Sequence, residues 1–95
     1  MTWIREALLH AYRRMRTIRV FEDKLAELVM SGNLAGFLHL YAGEEAVAVG
    51  VCSHLSDSDW VTSTHRGHGH CIAKGVDVNA MMAERFGRSM GVCKG

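Results

Sequence analysis

Apolar residues recur at Ile4, Leu8, Ala11, Met15, Ile18, Phe21, Leu25 and Leu28, in steps of three and four. That spacing draws one stripe down a single long helix and predicts helix over residues 3–31. Arg5, Arg13, Arg16, Asp23 and Glu27 fall on the opposite face. Thr2 is placed to cap the first turn, with Glu6 near its positive dipole end. Gly32-Asn33 supplies a left-handed stop. Ninety-five residues make one small domain, so a helix of this length must lie across the rest of it or across another subunit.

All ten glycines follow residue 31 and there is no proline, so one long regular segment gives way to short, punctuated ones. Glu44 and Glu45 open a second helix that runs to about Leu55. Its small apolar residues, Ala46 to Cys52, lie nearly all round and predict a helix buried on most sides. Ser56-Asp57-Ser58-Asp59 is a turn, and Trp60-Val61-Thr62 is the best candidate for a strand. His68 to Lys74 reads as a short helix stopped by Gly75, and Asp77 caps a last helix that reaches about Phe86 with Met81 and Met82 in the core. The tail from Gly87 is aperiodic and reads as loop. The fold expected of these residues is mainly α: a long N-terminal helix, shorter helices and at most one short strand.

With 48% hydrophobic and 22% charged residues, the composition is that of a globular protein and excludes a disordered tail. A net charge of +1 gives no general attraction to nucleic acid. No apolar run approaches the ~18–20 residues of a membrane span, and charges interrupt the N-terminus where a signal peptide needs an apolar core. A cytoplasmic protein is expected. Cys52, Cys71 and Cys93 are odd in number and not closely paired, which points to free buried thiols.

The densest polar run is Thr62-Ser63-Thr64-His65-Arg66-Gly67-His68-Gly69-His70, between the expected strand and the third helix. Such a junction presents unpaired backbone N–H groups at the positive end of a helix dipole, which suits an anion. Gly67 and Gly69 let the backbone approach a ligand, Arg66 offers a planar fork for phosphate oxygens, and His65 offers a ring N–H. A phosphate or diphosphate pocket is one reading; a solvated Arg66 beside helix-capping histidines is the other. His65, His68, His70 and Cys71 are also zinc or copper ligand types, but no second ligand pair stands at a typical spacing, so no metal site is assigned. His39 lies between Phe37 and Tyr41 in a glycine-bounded loop, either a proton donor at a site or an ordinary loop histidine. Glu44 and Glu45 are adjacent on a helix and cannot face one another, so helix-dipole stabilisation is their expected role. His10 and His54 have no evident partner in the sequence.

GFLHLYAGEEAVAVGVCSHL, then DWVTSTHRGHGHCIAKGVD, then MMAERFGRSMGVCKG resemble, in that order, the α subunits of E1-type thiamine-diphosphate-dependent dehydrogenases. Those oxidoreductases act on pyruvate, branched-chain 2-oxo acids or acetoin. YRRMRTIRVFEDKLAEL in the first helix is similar as well. The THRGHGH form is most similar to the acetoin branch; pyruvate dehydrogenase α subunits tend to carry tyrosine at the position of His65.

The resemblance implies that residues 1–95 are the N-terminal portion of a thiamine-diphosphate-binding domain, truncated from a larger α/β fold. It implies that Arg66 and His65 contact the cofactor diphosphate. It implies that His39, with Phe37 beside it, lies on the substrate side as a catalytic hydrogen-bonding or proton-transfer group. The reaction implied is oxidative carbon–carbon cleavage with acyl transfer to a lipoyl group or another acceptor. The implied partners are a β subunit and a lipoyl-bearing acyltransferase. In the family Mg2+ is held through a Gly-Asp-Gly segment and a later asparagine, neither of which occurs here, and the glutamate that activates the cofactor belongs to the β subunit. The implication is a fragment that binds no cofactor and is inactive alone. Apolar surfaces left uncovered predict a homo-oligomer formed through the long helix or the small-residue helix. The competing reading is a non-catalytic helical oligomer or interaction module that binds an anion or a metal through the His65–His70 segment.

Overall fold

The computed structural model describes residues 3–36 and 38–95. Thr2, expected to cap the first helix, and Phe37, expected on the substrate side, lie outside the described residues. Four helices follow one another: α1 (Arg5–Met30), α2 (Glu45–Cys52), α3 (His68–Ala73) and α4 (Val78–Arg85). The described residues are mainly α, as the periodicity requires.

α1 has 26 residues and sets the length of the molecule. At 1.5 Å per residue it spans about 39 Å, close to the longest dimension of 44 Å. Ile4 stands at its N-cap and makes no side-chain capping bond. At the other end Gly32 turns left-handed, at φ 81°. Its N–H donates to the Val29 carbonyl and that of Asn33 donates to the Leu28 carbonyl. Two carbonyls that the helix leaves open are thereby satisfied. The same device recurs at Gly75 after α3 and at Gly87 after α4. At the start of α4 the Asp77 carboxylate accepts from the Ala80 N–H at 2.9 Å, the cap that the sequence predicts.

The core lies along the middle of α1. Ile18, Phe21 and Leu25 meet Ala48 and Val49 of α2, Ile72 of α3 and Met81 of α4, with Leu34 and Tyr41 added from the connecting loop. The first third of the predicted stripe is not covered: Ile4 is 63% and Leu8 54% exposed. α2 is buried on one face only. Ala48, Val49 and Cys52 face α1 and α3, whereas Val47 and Val51 are largely in solvent. Small residues all round therefore do not mean burial all round here, because nothing among the described residues covers the outer side.

The expected strand is absent from the described residues. Trp60 to Thr62 has no regular structure, with Trp60 almost fully exposed, and among the described residues there is no strand for it to pair with. The turn before it forms as expected: the Asp59 carboxylate accepts from the Ser56 N–H at 2.7 Å. Of the three free cysteines only Cys52 is buried; Cys71 and Cys93 are exposed. The aperiodic tail is tied down, because Glu84 accepts from the Cys93 and Gly95 N–H groups at 2.8 and 2.9 Å. His54, without an evident partner in the sequence, meets the edge of Trp3 with ring centroids 6.4 Å apart.

Two polar links fasten the short helices to α1. Arg14 donates to the Ile72 carbonyl at the end of α3 at 2.8 Å. Arg19 forms a two-pronged pair with Glu45 at 2.8 and 3.0 Å, and Glu45 also accepts from the Gly43 N–H at 2.8 Å. Glu45 stands in the first turn of α2, where the dipole role expected of it applies, and is in addition a buried strap between α1 and α2.

The Arg19 hydrogen bond, helped by the Gly43 N–H and opposed by burial, lowers the Glu45 carboxyl from 4.5 to about 2. A folded-state value below the unfolded one means that the strap contributes fully above about pH 4.5 and is lost as pH falls toward about 2. The stability gap between the wild type and Glu45→Gln, measured by urea unfolding, should be widest near pH 6 and shrink by about pH 2.5. A gap that does not change with pH would contradict the strap.

Candidate functional site

Two segments distant in sequence meet beside the core. One is the loop after α1 that carries His39, Leu40 and Tyr41; the other is the approach to α3 that carries His65 and Arg66. Tyr41 anchors the first segment. Its ring is 2% exposed, and its hydroxyl lies 3.2 Å from His70 Nε2 in α3. Burial, with a contribution from Glu44, raises its phenol above the usual range. The ring lies so close to α3 that a Cβ at Gly69 would come within 2.3 Å of it. The sequence suggests that Gly69 makes room for a ligand; the structure shows it making room for Tyr41.

Arg66 joins the two segments. It is half-buried, and its Nη1 donates to the Leu40 carbonyl at 2.6 Å. The guanidinium is held by one prong, and its remaining N–H groups are available to an acceptor. Beside it His39 and His65 meet edge to face, with ring centroids 4.6 Å apart and planes at 85°. Both are exposed. His39, His65 and Arg66, singled out separately in the sequence, thus form one corner. The arrangement offers a fixed cation with two imidazoles in reach of solvent, which suits an anion that also needs proton-donating neighbours.

A second polar centre joins the middle of α1 to the start of α3, and the sequence does not point to it directly. Glu22 is fully buried on the core face of α1, and its Oε1 sits 2.9 Å from His68 Nδ1 at the start of α3. The His68 ring also meets the edge of Phe21 at 5.7 Å. The signal was present: Glu22 stands four residues after Ile18 and three before Leu25, so an acid interrupts the apolar stripe. A buried carboxylate needs a partner, and a histidine-rich segment elsewhere in the chain supplies one. Glu22 Oε2 and His70 Nδ1 remain buried without a hydrogen-bond partner.

The metal alternative finds no support in this geometry. His68 is engaged by Glu22 and His70 by Tyr41, while His65 faces His39. Among the described residues no group of three histidine, cysteine, aspartate or glutamate side chains could hold a metal ion. No described helix is long and apolar enough to cross a membrane.

A family model described as the dehydrogenase E1 component matches residues 13–95. The chain belongs to that family. This E1 chain is 66% identical over 90 residues to the α subunit of acetoin:2,6-dichlorophenolindophenol oxidoreductase from Bacillus subtilis, covering 95% of the chain and 27% of that relative. It is 58% identical over 91 residues to the subunit of the same name from Cupriavidus necator, covering 96% and 27%. The pyruvate dehydrogenase E1 component α subunit of Zymomonas mobilis is 48% identical over 92 residues, with 96% and 26% covered. The chain spans about a quarter of the length of these relatives. Identity to the two acetoin-named subunits exceeds that to the Zymomonas protein, in the direction the THRGHGH segment suggested.

The close fit of Tyr41 over α3 is open to a stability test. Gly69→Ala should destabilise the chain by about 1–3 kcal/mol in urea unfolding, because the added methyl must displace a buried ring. Gly50→Ala in α2, where an added Cβ meets nothing within 4 Å, should stabilise it by up to about 1 kcal/mol through helix propensity. Equal effects at the two glycines would contradict the packing.

Proposed function

We propose that residues 1–95 are the N-terminal portion of the thiamine-diphosphate-binding domain of an E1 α subunit, part of an enzyme that oxidatively cleaves acetoin or a 2-oxo acid. One observation carries this reading: Arg66, steadied on the Leu40 carbonyl, stands in one corner with the paired rings of His39 and His65. Membership of the E1 family and the high identity to acetoin-named α subunits support it. The donor set fits the anionic half of the cofactor, since a guanidinium with open N–H groups and an adjacent imidazole match phosphate oxygens.

Within that reading Arg66 neutralises diphosphate charge and fixes its position, and His65 donates a ring N–H to the same group. His39 faces the substrate and donates a hydrogen bond or a proton to its oxygen. Phe37, which lies outside the described residues, is assigned to the substrate side by the family resemblance alone. When bound with Mg2+, thiamine diphosphate supplies the electron-accepting ring that makes carbon–carbon cleavage possible. The partners are a β subunit and a lipoyl-bearing acyltransferase, with the acyl unit passed to lipoyl or another acceptor. The 95 residues contribute a corner of this site and by themselves are inactive.

Calorimetry with thiamine diphosphate and Mg2+ tests the assignment, using the α subunit that carries these residues together with its β subunit. Arg66→Ala should raise the cofactor Kd by roughly tenfold or more, the effect of losing a charge-assisted hydrogen bond. His39→Ala should leave the Kd nearly unchanged and lower kcat. An unchanged Kd in Arg66→Ala would refute the diphosphate role.

A further inference from the structure

Arg66 stands between two stretches that fix little by themselves. Residues 60–65 form no helix or strand and are exposed. α3 begins two residues after Arg66, and its N-cap, Gly67, makes no side-chain hydrogen bond. A six-residue helix without a cap does not set its own position. The place of Arg66 is therefore decided by bonds that reach α3 from elsewhere in the fold.

Three such bonds exist. Arg14 of α1 fastens the far end of α3 at the Ile72 carbonyl. Tyr41 meets His70, which joins α3 to the loop that Arg66 itself holds through Leu40. The near end of α3 is fastened to α1 by His68, whose Nδ1 lies 2.9 Å from Glu22 Oε1. Phe21, the neighbour of Glu22, meets the edge of the same imidazole, so the ring is held on two sides. Consecutive Cα atoms are 3.8 Å apart, so His68 stands at most about 7 Å along the chain from Arg66 and fixing one confines the other.

Glu22 is an unfavourable residue for packing alone. Ile18, Phe21 and Leu25 beside it on the stripe are apolar, the side chain is fully buried, and its Oε2 has no hydrogen-bond partner. An apolar side chain of similar length would fill the position without burying a carboxylate. It would not supply the acceptor for His68. A carboxylate at Nδ1 fixes both the orientation of the ring and the nitrogen that carries the hydrogen.

We propose that Glu22 is a positioning residue, which acts through His68 to set the start of α3 and so holds Arg66 in place for the cofactor diphosphate. The proposal rests on the diphosphate role given to Arg66 above.

The test uses the α subunit with its β subunit and reads the thiamine diphosphate Kd by calorimetry in the presence of Mg2+. Glu22→Met keeps the length of the side chain and removes the acceptor. It should raise the Kd roughly fivefold or more, with kcat at saturating cofactor unchanged and the urea midpoint equal to that of the wild type or higher. Glu22→Gln, whose amide oxygen still accepts from Nδ1, should bring the Kd back to within about twofold of the wild type. In an Arg66→Ala background Glu22→Met should add nothing further, because the group it positions is gone. A Glu22→Met Kd equal to that of the wild type, a Gln variant no better than the Met one, or an effect of the same size with and without Arg66 would each overturn the proposal while leaving the role of Arg66 intact. An Arg66→Ala Kd equal to that of the wild type is the separate result that removes the diphosphate role, and this proposal with it.

Discussion

The rest of the molecule depends on burial along the middle of α1. α2, α3 and α4 are eight, six and eight residues long, too short to hold helical structure by themselves. Each becomes stable by placing one or two apolar side chains on the patch formed by Ile18, Phe21 and Leu25. Glu22 lies in that patch, fully buried, so the same surface that orders the short helices also requires a partner for a carboxylate. His68 meets that requirement, and the start of α3 is located by it.

Arginine serves three different purposes in a chain this small. Arg14 and Arg66 bind backbone carbonyls of distant segments, Arg19 binds a buried carboxylate, and Arg13 and Arg16 remain in solvent. A guanidinium fork can anchor one prong on the protein and keep others open, so a fastening residue can also be a binding residue. Arg66 is of that type. The loop it holds carries His39, and this is how a segment without regular structure comes to present a histidine at a fixed place.

The two faces of α1 work by different physics. The inner face is read by shape and by the hydrophobic effect, which does not discriminate between partners of equal fit. The outer face carries charged residues such as Arg13, Arg16, Asp23 and Glu27 among a few apolar ones, and all of them are exposed. Open apolar surface also lies on the outer side of α2, the first turns of α1, the segment at Trp60 and the tail at Met90.

What is local could be read from the sequence. The period of the apolar residues gave α1 to within two residues at its start and one at its end, and Gly32, Gly75 and Asp77 marked stops and a cap where they occur. Those features depend on backbone dihedrals and on side chains within one turn of each other. Motif composition also reached His39, His65 and Arg66 as candidates. Tertiary structure alone decided which of them meet, because His39 and His65 lie 26 positions apart and nothing in either segment encodes the distance between them. It also decided that Glu45 straps two helices, that Gly69 yields to Tyr41 and that Glu22 is buried against His68. Partners across space are chosen by packing, and a buried charge shows its need in the sequence without naming the group that satisfies it.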